Sequence, residues 1–228
     1  MRTTIFPLRH LSLLLAALMA LGSAAQANVP RAAETLIIDA AAFATDDAWG
    51  AQPSMLNASF GPFIVVDAHT VELHGLIDSE SPSDFAAMLA GFPAIRTLRM
   101  VECPGSADDD ANLALARMVR AARIETVVPA GGSVRSGAVE LFLAGVRRSA
   151  DSRAEFVVHS WRDENGREAA DYAADDPVHR AYLDFYSDMG LSLTLAARFY
   201  ALTNSVPFAQ TLSLAPADLA GLGMLEVI

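Results

Sequence analysis

The chain has 228 residues, 53% of them hydrophobic, and 16 basic residues against 27 acidic ones give a formal charge of −11. That acidity repels nucleic acid and anionic membrane surfaces and disfavours polyanionic partners. All sixteen bases are arginine, which excludes a Ser-Lys dyad, a Schiff-base lysine and a P-loop lysine. Cys103, the lone cysteine, can form neither an intrachain disulfide nor a zinc or iron–sulfur site, leaving a small buried thiol or an intermolecular bridge.

Residues 1–27 read as a signal peptide. Arg2 and Arg9 form a positive n-region, Leu11 to Leu21 an apolar stretch too short to span a bilayer, and Ala25-Gln26-Ala27 a small-x-small cleavage site. Cleavage after Ala27 removes two arginines and no acids, so the charge becomes −13. No later stretch reaches the roughly 20 apolar residues of a membrane helix, so the mature chain is expected in the periplasm or the medium, off the membrane. What remains is long enough for one domain with a sizeable core. Residues 28–59 read as an irregular N-terminal extension with a short strand at Leu36 to Ile38, and 60–228 as an α/β domain.

Within that domain, Phe63 to Asp67 and Val71 to Leu76 are β-rich runs separated by Ala68-His69-Thr70, which predicts a hairpin. Ser81 to Asp84 offers cap chemistry for a helix ending at Gly91 and Pro93. Ile95 to Val101 is a strand; Asp108 to Asp110 open a helix on which Leu115, Met118, Val119 and Ala122 recur at helical spacing, and Ile124 to Val128 is strand again. A helix from Ser136 to Val146 and a strand from Glu155 to His159 follow, then a polar loop to Asp176. Pro177 opens a long helix reaching about Leu202, and Ala215 to Leu222 is a shorter one. Strands alternating with helices predict an α/β fold with a mostly parallel sheet.

Val127 to Arg148 is the most informative stretch: an apolar strand, a Gly-Gly turn, a serine, then a helix rich in small residues. Such a turn exposes the Ser136 hydroxyl at a helix N-terminus, where unpaired N–H groups can stabilise an alkoxide or oxyanion. The competing reading is that Ser136 is an ordinary N-cap.

The order of these pieces resembles the Clp protease proteolytic subunit and the wider ClpP/crotonase superfamily, a spiral of ββα units, over Phe63 to Val227. Val71-Glu72-Leu73-His74-Gly75-Leu76-Ile77 is similar to that family's first strand. Arg99 to Ser106 resembles the strand ending in Asn-Ser-Pro-Gly-Gly, with Glu102-Cys103 in place of Asn-Ser and Ser106 in place of the second glycine. Gly132 precedes Ser136 by four residues and Ala144-Gly145 closes the helix, as in the family's nucleophile segment. His159, 23 residues after Ser136, ends the following strand where the family has its catalytic histidine, and Leu212 to Met224 resembles its closing helix.

The resemblance implies Ser136 as nucleophile and His159 as general base. It implies an oxyanion hole built from the N–H of Gly137 and one from the turn at Gly105 and Ser106. The family's orienting aspartate falls near Thr211, beside Gln210, and no acid lies between Asp188 and Asp218. Either Thr211 or a backbone carbonyl orients His159, or Asp171, Asp175 or Asp176 comes across from the loop after the histidine strand, or the site is inactive. Losing the orienting carboxylate costs about four orders of magnitude in serine proteases. The family also implies a homo-oligomer, with the helix from Pro177 as the place to look for an interface.

Bland readings stand beside these. A histidine ending a strand is commonly a hydrogen-bonded structural group; His69 and His74 read as surface residues, and His179 as an ordinary helix start. Asp108 to Asp110 compensate a helix dipole or bind a hard cation weakly. Trp161 to Arg167 form a solvated turn or a lid over the site. No cofactor or metal is implied. The sequence therefore points to a periplasmic or secreted ClpP-like serine hydrolase acting on a peptide or protein substrate. The alternative is an inactive ClpP-fold binding or scaffold protein. Crotonase-type acyl-CoA chemistry suits the fold and not the compartment, because the coenzyme is cytosolic and no lysine is present to hold its phosphates.

Overall fold

A computed structural model describes residues 57–228. The expected signal peptide and cleavage site, the expected strand at Leu36 to Ile38 and most of the extension lie outside the described residues. The first described strand, β1, is Ser59–Phe60. It pairs antiparallel with β2 (Phe63–Val65), which pairs antiparallel with β3 (Thr70–His74). This is the expected hairpin, and its alternation is strict: Phe63, Val65, Val71 and Leu73 point into the core. On the other face Glu72 takes Arg99 at 3.0 Å from the neighbouring strand and His74 at 2.9 Å.

Helix α1 (Ser81–Gly91) leads to β4 (Thr97–Cys103), parallel to β3. Helix α2 (Asp109–Ala121) is capped by Asp108, whose carboxylate accepts from the Ala111 N–H at 3.0 Å. Its buried Asn112, Leu115, Ala116 and Val119 form one stripe with i, i+3, i+4, i+7 spacing. The chain continues through β5 (Glu125–Val128), β6 (Ser133–Arg135), α3 (Gly137–Leu143), β7 (Arg148–Ala150) and β8 (Glu155–Val158).

The sheet divides at β4. The first half of that strand, Thr97 to Arg99, pairs with β5, and its last two residues, Glu102 and Cys103, pair with β6. One branch runs β3-β4-β5-β7-β10, the other β4-β6-β8-β9, where β9 is Leu212–Leu214 and β10 is Glu226–Val227. Most pairings are parallel, as expected of the α/β alternation; the antiparallel ones are β1–β2, β2–β3 and β8–β9. The strand β6 was not expected: three residues are too few to show alternation.

The long helix expected from Pro177 to Leu202 is two helices, α4 (Pro177–Asp188) and α5 (Leu193–Thr203). Gly190 takes φ +87° between them, and the Ser192 hydroxyl accepts from the Leu195 N–H at 3.2 Å to start the second. Helix α3 ends at Leu143, short of Val146, and the closing helix α6 is Pro216–Gly221. Arg148 ties these parts together, its guanidinium donating to the carbonyls of Leu143, Met224 and Met189. Burial lowers its pKa to about 10.

Ala144-Gly145 closes α3 against β5, where the buried Thr126 hydroxyl donates to the Phe142 carbonyl at 2.7 Å. A Cβ at Gly145 would lie 2.2 Å from Thr126 Oγ1 and 2.6 Å from the Arg147 carbonyl. Gly145→Ala is therefore expected to destabilise by about 1–3 kcal/mol, read as a lower urea midpoint at unchanged slope.

Candidate active site

Strands β4 and β6 run parallel, as do β6 and β8, so their carboxyl ends open together, the usual place for a ligand in a parallel sheet. Three segments leave those ends: the turn Pro104 to Ser106, the start of α3 at Ser136, and His159. All line one cleft of about 820 Å³.

Ser136 donates its backbone N–H to Val157 O at 2.8 Å, which fixes it beside the end of β8. It occupies the N-cap position of α3 and does not behave as a cap: its side chain makes no cap hydrogen bond, and its backbone sits at φ +48°, ψ −132°. A normal cap is extended and accepts from the first turn. A non-glycine residue held at such angles carries about 1–3 kcal/mol of strain, the kind of outlier that gathers at functional sites. The hydroxyl has no protein partner among the described residues.

The turn before α2 lies against it. A Cβ at Gly105 would stand 3.1 Å from Ser136 Cβ and 3.6 Å from its Oγ. Gly105 itself has φ +136°, and its carbonyl accepts from Ile77 N at 3.0 Å. The N–H groups of Gly105 and Ser106 have no acceptor among the described residues. The Ser106 hydroxyl donates to Asp109 at 2.6 Å, and a Cβ on Gly137 would fall 2.2 Å from that hydroxyl oxygen. Glycine at 137 is thus what lets the first turn of α3 approach the 104–106 turn.

His159 packs edge-on against Phe208, 4.7 Å between ring centres. Its Nδ1 lies 2.8 Å from the Ser160 carbonyl. A carbonyl only accepts, so Nδ1 carries the proton and Nε2 the free lone pair, the tautomer a general base needs. Ser160 is buried and held from several sides: its N–H donates to Val206 O at 3.0 Å and its hydroxyl to Asn204 Oδ1 at 2.9 Å. Phe208 is anchored through its N–H to Glu168 at 2.9 Å.

The candidate orienting residues are elsewhere. Thr211 is exposed, one residue beyond the Val158↔Leu212 pairing. Asp171 accepts from Glu168 N at 2.8 Å, Asp176 caps α4 through Val178 N at 3.0 Å, and Asp175 is exposed. None of the four lines the cleft. Of the alternatives read from the sequence, the backbone carbonyl is the partner present. The loop at Trp161 is more than a solvated turn: Trp161 stacks on Tyr182 at 5.7 Å, donates to the Tyr200 hydroxyl at 2.9 Å, and forms part of the cleft wall. Cys103 is buried, and desolvation pushes its thiol up to about 12, away from the thiolate a nucleophile needs. Among the described residues no group of three or more His, Cys, Asp or Glu could hold a metal.

Glu140, which sequence reading passed over, also lines the cleft, four residues after Ser136 on α3. Its carboxylate accepts from the buried Tyr186 hydroxyl at 2.7 Å. Desolvation raises its pKa to about 7, against the lowering effect of the Tyr186 bond, and the nearby Asp109 charge adds to the rise. A lone acid in the apolar run Gly137 to Gly145 was the available signal. Because the folded-state value lies above the unfolded one of 4.5, the folded chain holds a proton that the unfolded chain releases, and stability falls as pH rises through that interval. Glu140→Gln keeps an acceptor for Tyr186. It is expected to melt above wild type at pH 8, by about 2–4 °C per kcal/mol gained, with the gap closing as pH drops toward 4.5. Melts across that range check it; a gap independent of pH would show that Glu140 is not perturbed.

No family model matches the chain, and no curated protein matches it by sequence. Solved structures do. A single-substitution variant of ClpP1 from Listeria monocytogenes is similar at 17% identity and a TM-score of 0.51, over 71% of this chain and 92% of that one. A variant of 1510-N, a membrane-bound stomatin-specific protease, is similar at 16% identity and a TM-score of 0.50, over 68% of this chain and 76% of that one. What these structures share with the present chain is the fold: the mostly parallel sheet and its helices follow a ClpP-like path.

Proposed function

We propose that this protein is a ClpP-fold serine hydrolase that cleaves peptide bonds, with Ser136 as nucleophile and His159 as general base. The observation that carries the reading is the pairing, in one cleft, of a strained serine whose hydroxyl makes no structural bond with a histidine whose Nδ1 is occupied and whose Nε2 is free. A neighbour of the same fold is a protease.

In this reading Ser136 Oγ attacks the scissile carbonyl carbon as its proton passes to His159 Nε2. The negative charge gathering on the carbonyl oxygen is met by the N–H of Gly137 and by an N–H of Gly105 or Ser106, each donor contributing about 3 kcal/mol to the transition state. The imidazolium then protonates the departing amine, and water, activated by the same nitrogen, releases the acyl group. The Ser160 carbonyl secures the tautomer, but it is neutral and stabilises the imidazolium less than a carboxylate would, so turnover is expected to be slow. The same reading includes export: residues 1–27 are removed and the hydrolase acts in the periplasm or the medium, assembled with further copies of itself.

The neutral orienting group also favours a second reading, a scaffold of this fold that has lost its chemistry. A fluorophosphonate probe separates the two. Ser136→Ala is expected to abolish labelling and hydrolysis, and His159→Ala to lower both by about 10³-fold or more with the fold intact. A folded wild type that never labels would establish the scaffold; equal labelling of His159→Ala would reassign the base. Export is checked by intact mass, which is expected to show mature protein beginning at Asn28; retention of Met1 in exported material would overturn it.

A further inference from the structure

Of the charged side chains lining the cleft, six are carboxylates and one, Arg162, is a guanidinium. Arg162 lies over the Phe208 ring at 3.8 Å, beside His159. Asp108 is engaged in capping α2, and Asp163 holds Tyr172 and Arg167. Glu140 is different. It is recessed, its one hydrogen-bond partner is a neutral hydroxyl, and no cation stands within ion-pair distance of it among the described residues. Carboxylates removed from water are ordinarily paired, and desolvation, with no cation to oppose it, raises the pKa of Glu140.

A second group nearby lacks a partner of the same kind. Asn112 is 1% exposed and lines the cleft; its Nδ2 donates to the Gly137 carbonyl at 2.7 Å, and its Oδ1 is buried with no donor. Reversing the amide would face oxygen to oxygen, so the orphan is an acceptor. Tyr182 and Trp161 add aromatic surface to the wall, which suits a cation and not an anion. This end of the cleft therefore offers acceptors and aromatic rings and asks for a positively charged donor. Four residues along a helix are about 6 Å of axis, a span that the side chain of lysine or arginine bridges from a carbonyl held at Ser136.

We propose that the cleft is a specificity pocket for a cationic side chain, and that Glu140 receives the ammonium or guanidinium of the residue whose carbonyl Ser136 attacks. The proposal rests on the serine-hydrolase reading and names its substrate class. An apolar side chain would leave the carboxylate and the Asn112 oxygen unmet, and an acidic one would be repelled.

The test uses the mature protein with a matched series of fluorogenic peptides carrying Arg, Lys, Leu or Glu before the scissile bond. Arg and Lys are expected to exceed Leu in kcat/KM by on the order of 100-fold, and Glu140→Gln to shrink that ratio at least about tenfold. A preference for Leu, or a ratio unmoved in folded Glu140→Gln, overturns the proposal. A second arm needs neither turnover nor that variant: benzamidine is titrated into folded Ser136→Ala, with saturable binding expected and with cyclohexylmethanol as the neutral control. Binding of benzamidine by a protein that never labels with fluorophosphonate would keep the cationic pocket and discard the hydrolase. Labelling and turnover of the Leu peptide, with no benzamidine bound, would keep the hydrolase and discard the pocket. Equal binding of the neutral control would show an apolar slot and overturn the proposal.

Discussion

One strand, β4, has two successive neighbours on the same edge, and the candidate site follows from that. A strand offers one row of hydrogen-bonding groups per edge, so β5 can hold only Thr97 to Arg99 if β6 is to hold Glu102 and Cys103. The two branches must diverge there. The divergence places the end of β4, the end of β6 and the end of β8 around one opening, and the turn, the serine and the histidine that leave those ends all line it. Close packing at the two ends of α3 demands glycine as well: a Cβ at Gly137 would collide with the Ser106 and Asn112 side chains beside the opening, and one at Gly145 with Thr126 and the Arg147 carbonyl away from it.

The histidine depends on a different kind of support. Its ring is held by a backbone carbonyl one residue away, and that carbonyl is held in turn because Ser160 is buried and bonded to Val206 and Asn204. A carboxylate would orient the ring and also oppose its charge. A carbonyl orients it and supplies only a dipole. The arrangement therefore separates two functions that one aspartate usually combines, geometry and charge stabilisation, and retains the first.

The charge balance of the cleft is equally uneven. Elsewhere the acids meet their partners at the surface, Glu125 with Arg147 and Glu155 with Arg135. Inside, Glu140 meets Tyr186 from α4, a helix whose Phe185 and Tyr186 are buried against the core. A hydroxyl satisfies one lone pair and leaves the charge unopposed, so the pocket keeps an electrostatic demand that the protein itself does not meet.

Sequence by itself determined the local units. The Gly132 to Ser136 turn, the helix opened by Asp108 to Asp110 and the alternating strands were legible because each is written within a few residues of backbone punctuation and periodicity, whereas His159 was singled out by the family resemblance. It also fixed what the chemistry lacks, lysine anywhere and an acid between Asp188 and Asp218. Tertiary structure decided the rest. The break at Gly190 lay inside an apolar periodicity that continued across it, and β6 was too short to show a period. The role of the Ser160 carbonyl had no signature, since every residue carries one. The Glu140–Tyr186 bond joins residues 46 positions apart, and the unmet Asn112 oxygen exists only because α2 is pressed against α3. Those features arise from burial, and burial is a property of the packed chain: a carboxylate, a hydroxyl and an amide read alike in sequence whether water reaches them or not.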